Sequence, residues 1–342
     1  MELLGELALF AAKVLLVLVA ILLIIGAIAR AARRGASDEA KGDLKLTRMN
    51  ERWKRTADRM QRAFLGAKAW KAREKAEKLA RKGKPPGADA DKPRTYVLDF
   101  DGNLRAAQVV GLREEVTAIL GVARKGDEVV VRLKSPGGLV YAYGLAASQL
   151  ERLRERELRL TVAVDQVAAS GGYMMATVAH QIVAAPFAIV GSIGVVAGFP
   201  NFHRWLEKRD IDFELMTAGK YKRTMTMFGK NTEEARAKFQ AELEETHALF
   251  KAHVARTRPT LDLDKVTTGE HWYGTQALGL GLVDRVATSD DLLAERKDER
   301  AIWHVQFVPR RRLFDRVTHA VQAGIERAFE RVWERSEEQR FL

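Results

Sequence analysis

The sequence predicts an α/β fold built on a parallel sheet with helix-covered faces, preceded by a transmembrane helix and a basic helical stalk. Three observations carry this. Short β-branched runs, Tyr96–Phe100 (YVLDF), Glu128–Leu133 (EVVVRL) and Leu160–Val164 (LTVAV), alternate with segments of helical period, Ala106–Ala123 and Tyr143–Arg156. Strands separated by helices in this way pair in parallel. Leu7–Ala29 is apolar throughout apart from Lys13, and it is long enough to span a bilayer. Between the two regions, residues 30–84 carry 19 Lys and Arg against 7 Asp and Glu, a surplus of 12 that equals the net charge of the whole 342-residue chain.

In chain order, residues 1–30 read as an uncleaved anchor. The apolar run is too long for a signal peptide, and Arg30, Arg33 and Arg34 follow it where a small-x-small cleavage site would stand. Residues 31–92 read as the charged stalk, ending in a linker at Lys84-Pro85-Pro86-Gly87. Trp53 and Trp70 interleave with its basic residues as in a nucleic-acid surface, but anionic lipid headgroups account for the same charges beside an anchor, so no nucleic-acid partner is expected. The positive-inside rule places this flank, and the domain beyond it, in the cytoplasm.

Residues 93–300 form the expected main domain. Ser135-Pro136-Gly137-Gly138 follows the second strand, and Val167–Ala176 (VAASGGYMMA) follows the third; in parallel sheets ligand sites lie beyond the carboxyl ends of the strands. Ile182–Phe199 carries no charge, but Pro186, Gly191, Gly194 and Gly198 divide it into short buried strands and argue against a second span. A strand is expected over Asp212–Thr217, a helix over Thr232–Thr257 with its cap at Asn231 or Thr232, and a closing helix and turn from Trp272 to Asp284. Residues 301–342 are expected to form a strand and an amphipathic helix with Phe314, Val317, Val321, Ile325, Phe329, Val332 and Trp333 on one stripe.

Ser170 is the candidate nucleophile, flanked by Ala168, Ala169, Gly171 and Gly172 so that a substrate backbone can approach. A buried serine in a tight junction is the plain alternative. A serine hydroxyl needs a base within about 3 Å, and a lysine serves only when neutral, which requires its ordinary pKa near 10.4 to fall by roughly three units. Lys220 and Lys222, in Gly219-Lys220-Tyr221-Lys222-Arg223, are the candidates, with Met225, Met227 and Phe228 as apolar cover. His180, His203 and Asp165 read as structural residues. With no Cys, no His-Glu-x-x-His, no carboxylate cluster and no phosphate-binding glycine pattern, no metal or cofactor is expected.

Ser-Pro-Gly-Gly, Ala-Ala-Ser-Gly-Gly-Tyr and Gly191-Ser192-Ile193-Gly194 together resemble the signal peptide peptidase A family of serine peptidases. The anchor, the stalk, Thr217–Arg223 and Glu270–Gly274 (EHWYG) are similar to its SohB branch. The resemblance implies a ClpP/crotonase-like spiral and a Ser-Lys dyad with Ser170 as nucleophile and Lys222 as general base. It implies an oxyanion hole at Gly137 and Gly171, with Gly138 permitting close approach, and Ser192 as the residue that orients the lysine amine. Arg223 departs from the acidic residue that many relatives have after the lysine. The implied protein is a bacterial inner-membrane endopeptidase acting on peptides such as signal-peptide or membrane-protein fragments. It assembles as a ring- or dome-shaped homo-oligomer, an octamer among the forms implied, with the site shared between protomers. The family places the domain outside the membrane, against the charge argument above. A crotonase-like acyl-CoA enzyme, with the Ser-Lys pair idle, and a non-catalytic membrane scaffold are the alternative readings.

Overall fold

Strands with apolar side chains on both faces need cover on both, and that requirement organises the chain. The computed structural model describes residues 42–82 and 92–309. Leu44–Val308 form one compact unit; of the other, Met1–Asp43 with Pro309–Leu342, only Gly42, Asp43 and Pro309 are described. The elements, in order, are β1 (Gly42–Arg48), α1 (Met49–Lys82), β2 (Arg94–Asp101), α2 (Val109–Val122), β3 (Glu128–Lys134), α3 (Val140–Glu155), β4 (Arg159–Val164), β5 (Val167–Ala169) and α4 (Gly171–Thr177). There follow β6 (Gln181–Ala184), β7 (Ile189–Gly191), α5 (His203–Glu207), α6 (Glu233–Thr257), α7 (Leu263–Val266), β8 (His271–Tyr273), α8 (Gly274–Gly279), β9 (Arg285–Val286), α9 (Ser289–Arg296) and β10 (Ala301–Pro309).

The larger sheet has the order β1-β10-β2-β3-β4-β6-β9, with β10 to β9 in parallel register. Leu98, Phe100, Val131, Leu133 and Val162 point to one face, into the main core with α2, α3 and α4. Val97, Val130, Ala163, Val183 and Ile302 point to the other, under Met49 and Trp53 of α1 and Leu292 and Leu293 of α9. Each large apolar side chain among these contributes about 1.5–3 kcal/mol on leaving water. A smaller sheet, β5-β7-β8, pairs β5 with β7 in parallel and β7 with β8 antiparallel. One bridge, Ser135 with Ala168, ties it to the end of β3.

Several expectations are met. The three central strands stand where the β-branched runs are, and the two helices between them begin at Val109 and Val140. Ile182–Phe199 supplies β6 and β7, not a span. The long helix opens at Glu233, capped by the Thr232 hydroxyl accepting from Ala235 N at 3.2 Å.

One expectation fails. Asp212–Thr217 is not a strand: Ile211, Phe213, Leu215 and Met216 are exposed, and the segment joins neither sheet. The helix expected in the stalk is present as α1, with departures at its start and middle. The stalk begins with β1, a strand of the main sheet, and α1 is broken at Gly66 (φ 72°, ψ 167°), so that its arms fold back and Lys54 pairs with Glu77. The compact unit therefore starts well before Pro93. The expected anchor Leu7–Ala29 and the amphipathic tail after Pro309 lie outside the described residues. Among the described residues no helix is long and apolar enough to cross a membrane.

Candidate active site

The chain leaves β3 into Ser135, whose N–H donates to Val167 O at 2.8 Å and whose carbonyl accepts from Ala169 N at 3.0 Å. This short stretch of parallel pairing carries Ser170 past the end of the main sheet. Ser170 N then donates to Gly191 O at 2.8 Å, and Met174 N donates to Ser170 O at 2.9 Å, so one residue is held from β7 and from α4 at once. Its backbone sits at φ 52°, ψ −121°, a conformation that costs of order 1–3 kcal/mol and persists only where surroundings over-determine it. The hydroxyl does not cap α4 and is half-buried.

Gly137 lies directly against this residue. A Cβ there would stand 2.7 Å from Ser170 Cβ and 2.9 Å from Gly171 N, and its φ of 95° disfavours a side chain on conformational grounds as well. Gly137 N donates to Ser135 Oγ at 3.1 Å. Ser135 Oγ is 2.5 Å from Tyr143 Oη, which donates to Asn103 O at 2.8 Å. The turn is thus fixed by a buried chain of polar groups that the sequence reading missed. A tyrosine on the buried face of a helix soon after Ser135 is the only trace of it in the sequence. Burial pushes the Tyr143 phenol up, and its bond with Ser135 opposes this. Its ring also fills the space that a Cβ on Gly171 would need.

Among the described residues Gly138 N donates no hydrogen bond, and Gly171, as the first residue of α4, has no acceptor within its helix. Of the three expected glycines, Gly137 donates to Ser135, while the N–H groups of Gly138 and Gly171 have no acceptor among the described residues. Ser192 follows Gly191 at φ 52°, held by its own N–H to Glu270 O at 2.7 Å, which places it next to the residue that anchors Ser170.

Lys222 is not joined to Ser170 by a hydrogen bond and does not share a cavity with it among the described residues. It lies exposed on the irregular stretch between α5 and α6, its N–H donating to Gly219 O at 3.1 Å. It lines an open cavity of about 670 Å³ with Phe199, Phe213, Leu215, Met227 and Phe228. Among the described residues no hydrogen bond joins it to Ser170 or Ser192. The rival, Lys220, is paired with Glu234 at 2.7 Å, a hydrogen bond that raises its pKa further above the ordinary lysine value. His180 accepts from Leu160 N through Nδ1 at 3.1 Å, and Asp165 accepts from Ser289 N and Oγ at 2.7 and 2.6 Å; both are structural. No cluster that could hold a metal is found among the described residues.

Helix α6, which follows the lysine segment, grips the serine side of the site. His247 Nε2 lies 3.2 Å from Ile193 O, next to Ser192. His253 Nε2 lies 3.0 Å from Met174 O, one turn into the helix after Ser170.

The sequence matches two family descriptions in succession, Peptidase family S49 N-terminal over residues 2–150 and Peptidase family S49 over residues 152–302. A protein of Haemophilus influenzae described as "Probable protease SohB" is 47% identical over 310 residues, 87% of each chain. One of the same description from Buchnera aphidicola subsp. Acyrthosiphon pisum is 56% identical over 231 residues, covering 68% of this chain and 69% of its own. A solved structure of a mutant "1510-N membrane-bound stomatin-specific protease" in complex with a substrate peptide aligns at 15% identity and a TM-score of 0.36, covering 60% of this chain and 80% of that one. With both halves of the sequence matched and such relatives spanning most of its length, the chain belongs to peptidase family S49, among the SohB proteases.

Proposed function

We propose that this peptidase is a membrane-anchored serine endopeptidase in which Ser170 attacks the peptide carbonyl and Lys222 of a neighbouring protomer acts as the base. One observation carries the reading. Ser170 is locked in a strained backbone position against Gly137 and Gly171, whereas Lys222 stands apart in a region between β7 and α6 whose apolar side chains face outward, with Val196 93% and Met216 89% exposed. Exposed apolar side chains in this number mark a surface that another chain covers. The same cover would supply the apolar burial that a neutral lysine requires. The ring- or dome-shaped homo-oligomer and the spiral fold implied by the family resemblance fit this arrangement, with β5-β7-β8 as the second layer beside the main sheet.

In the proposed reaction the lysine amine takes the Ser170 hydroxyl proton as Oγ bonds to the carbonyl carbon. The resulting oxyanion accepts from Gly171 N and Gly138 N, and each such donor is worth roughly 3–4 kcal/mol in the transition state. Collapse breaks the C–N bond, the lysine returns its proton to the leaving amine, and water hydrolyses the acyl-serine by the same route. Ser192 orients the amine. Substrates are peptides released from membrane proteins, with small or apolar side chains at the cut.

Mixing tests both residues at once. Ser170→Ala and Lys222→Ala proteins, each inactive alone on a fluorogenic peptide in detergent, should recover part of the wild-type rate when co-assembled. No recovery at any ratio, in mixtures shown to form mixed oligomers, defeats the shared site. Labelling of Ser170 by an active-site serine probe separates this reading from an acyl-CoA enzyme.

A further inference from the structure

The hairpin made by α1 has a tip that combines exposed apolar side chains with basic ones. In a straight helix Lys54 and Glu77 would be about 35 Å from each other; the reversal at Gly66 brings them into an ion pair. A Cβ on Gly66 would meet nothing within 4 Å, so no close neighbour forces the reversal at this position. Immediately before it, Phe64 is 77% and Leu65 46% exposed. Arg59 and Lys68 flank them, exposed, with Arg62 also exposed beside Phe64. The 34 residues of α1 hold 12 Lys and Arg against 4 Asp and Glu.

We propose that this tip docks on an anionic lipid bilayer, with Phe64 and Leu65 entering the headgroup region while Arg59, Arg62 and Lys68 meet lipid phosphates. The two features select the same partner. A projecting pair of apolar side chains needs an apolar medium that yields to it, and its cationic collar needs dense negative charge; an anionic membrane interface offers both in one plane. A nucleic-acid backbone answers the charge alone. In sequence the hairpin follows soon after the apolar run ending at Ala29. The contact goes beyond the anchor and is independent of the proposed Ser170–Lys222 chemistry.

The chain has no cysteine, so single labels are clean. Full-length Ala63→Cys protein, carrying an environment-sensitive fluorophore, is reconstituted in phosphatidylcholine vesicles with or without phosphatidylglycerol, each doped with nitroxide lipid. A Lys125→Cys label, on an exposed turn of the main domain, is the reference. The expected result is strong quenching at position 63 in anionic vesicles, weak quenching in neutral ones, and little at 125 in either. Phe64→Glu with Leu65→Glu, and separately Arg59, Arg62 and Lys68 to Glu, should each abolish the anionic enhancement while peptide hydrolysis in detergent and the thermal transition stay at wild-type values. Equal quenching at 63 and 125 in anionic vesicles overturns the proposal. So does a fluorophore at 63 already shielded in detergent, which would assign the tip to a second copy, or one protected by duplex DNA but not by vesicles.

Discussion

At the scale of single residues, the site is defined by what cannot be added to it. An alanine at 137 would place its Cβ 2.7 Å from that of Ser170 and 2.8 Å from Ala169 O, in a backbone region that disfavours side chains by about 1–2 kcal/mol. Gly137→Ala should therefore lower kcat by about 10²-fold or more, comparable with losing an oxyanion donor, with the melting temperature lowered by only a few degrees. Retention of near-wild-type turnover would show that the turn is not part of the chemistry. Glu115 offers a test away from the site. It is buried on α2, accepts from Phe307 N at 2.7 Å, and burial drives its pKa from 4.5 up to about 7. Because the folded state holds this proton more tightly, its contribution to stability is complete below pH 4.5 and is lost as pH rises through 7. The loss is about 3 kcal/mol. Glu115→Gln keeps the acceptor and removes the charge, so it should raise the melting temperature by several degrees at pH 8 and leave it unchanged at pH 5. The same gain at both pH values would reject the mechanism.

At the scale of elements, the strands and main helices were legible because their periodicity is a property of short windows. Tyr96–Phe100 and Glu128–Leu133 are apolar on both faces, and only a sheet covered on both sides accommodates that. Asp212–Thr217 has an equally strand-like pattern and forms no strand, since a strand needs a neighbouring edge and local sequence does not say whether one is there. The reversal in α1 was hidden for another reason. A lone glycine in an Ala- and Lys-rich stretch is tolerated within helices, and only the ion pair between its arms and the packing of Met49 and Trp53 on the sheet reveal the turn. Cysteines at positions 54 and 77 should cross-link readily, and Gly66→Ala, strained at φ 72°, should slow that reaction severalfold by favouring a continuous helix. An unchanged cross-linking rate would contradict the strain argument.

At the scale of the whole molecule, the meeting of the two glycine-rich turns was legible from the order of the strands. Ser135–Gly138 and Val167–Ala176 end adjacent strands, and adjacent parallel strands must bring their following turns together. Ser135, Tyr143 and Asn103 were not, because their link passes through side chains and a carbonyl from three separate elements. Nor did sequence spacing show that Lys222 lies outside hydrogen-bonding reach of Ser170 within one chain. Specific activity should fall on dilution of detergent-solubilised protein in step with the loss of oligomer on sedimentation, and constant activity through that dissociation would mean one chain suffices. A reporter fused after Leu342 should be active on the cytoplasmic side, as the basic flank requires; activity outside would favour the placement that the family resemblance implies.

The distance between Ser170 and its proposed base also bears on how such an enzyme survives its own synthesis. If the base is supplied by a neighbouring protomer as proposed, a chain emerging from the ribosome would carry the Ser170 hydroxyl with nothing to take its proton, and nascent copies would not digest themselves. Competence would then arrive only once enough finished copies had gathered, so that assembly itself would act as the trigger.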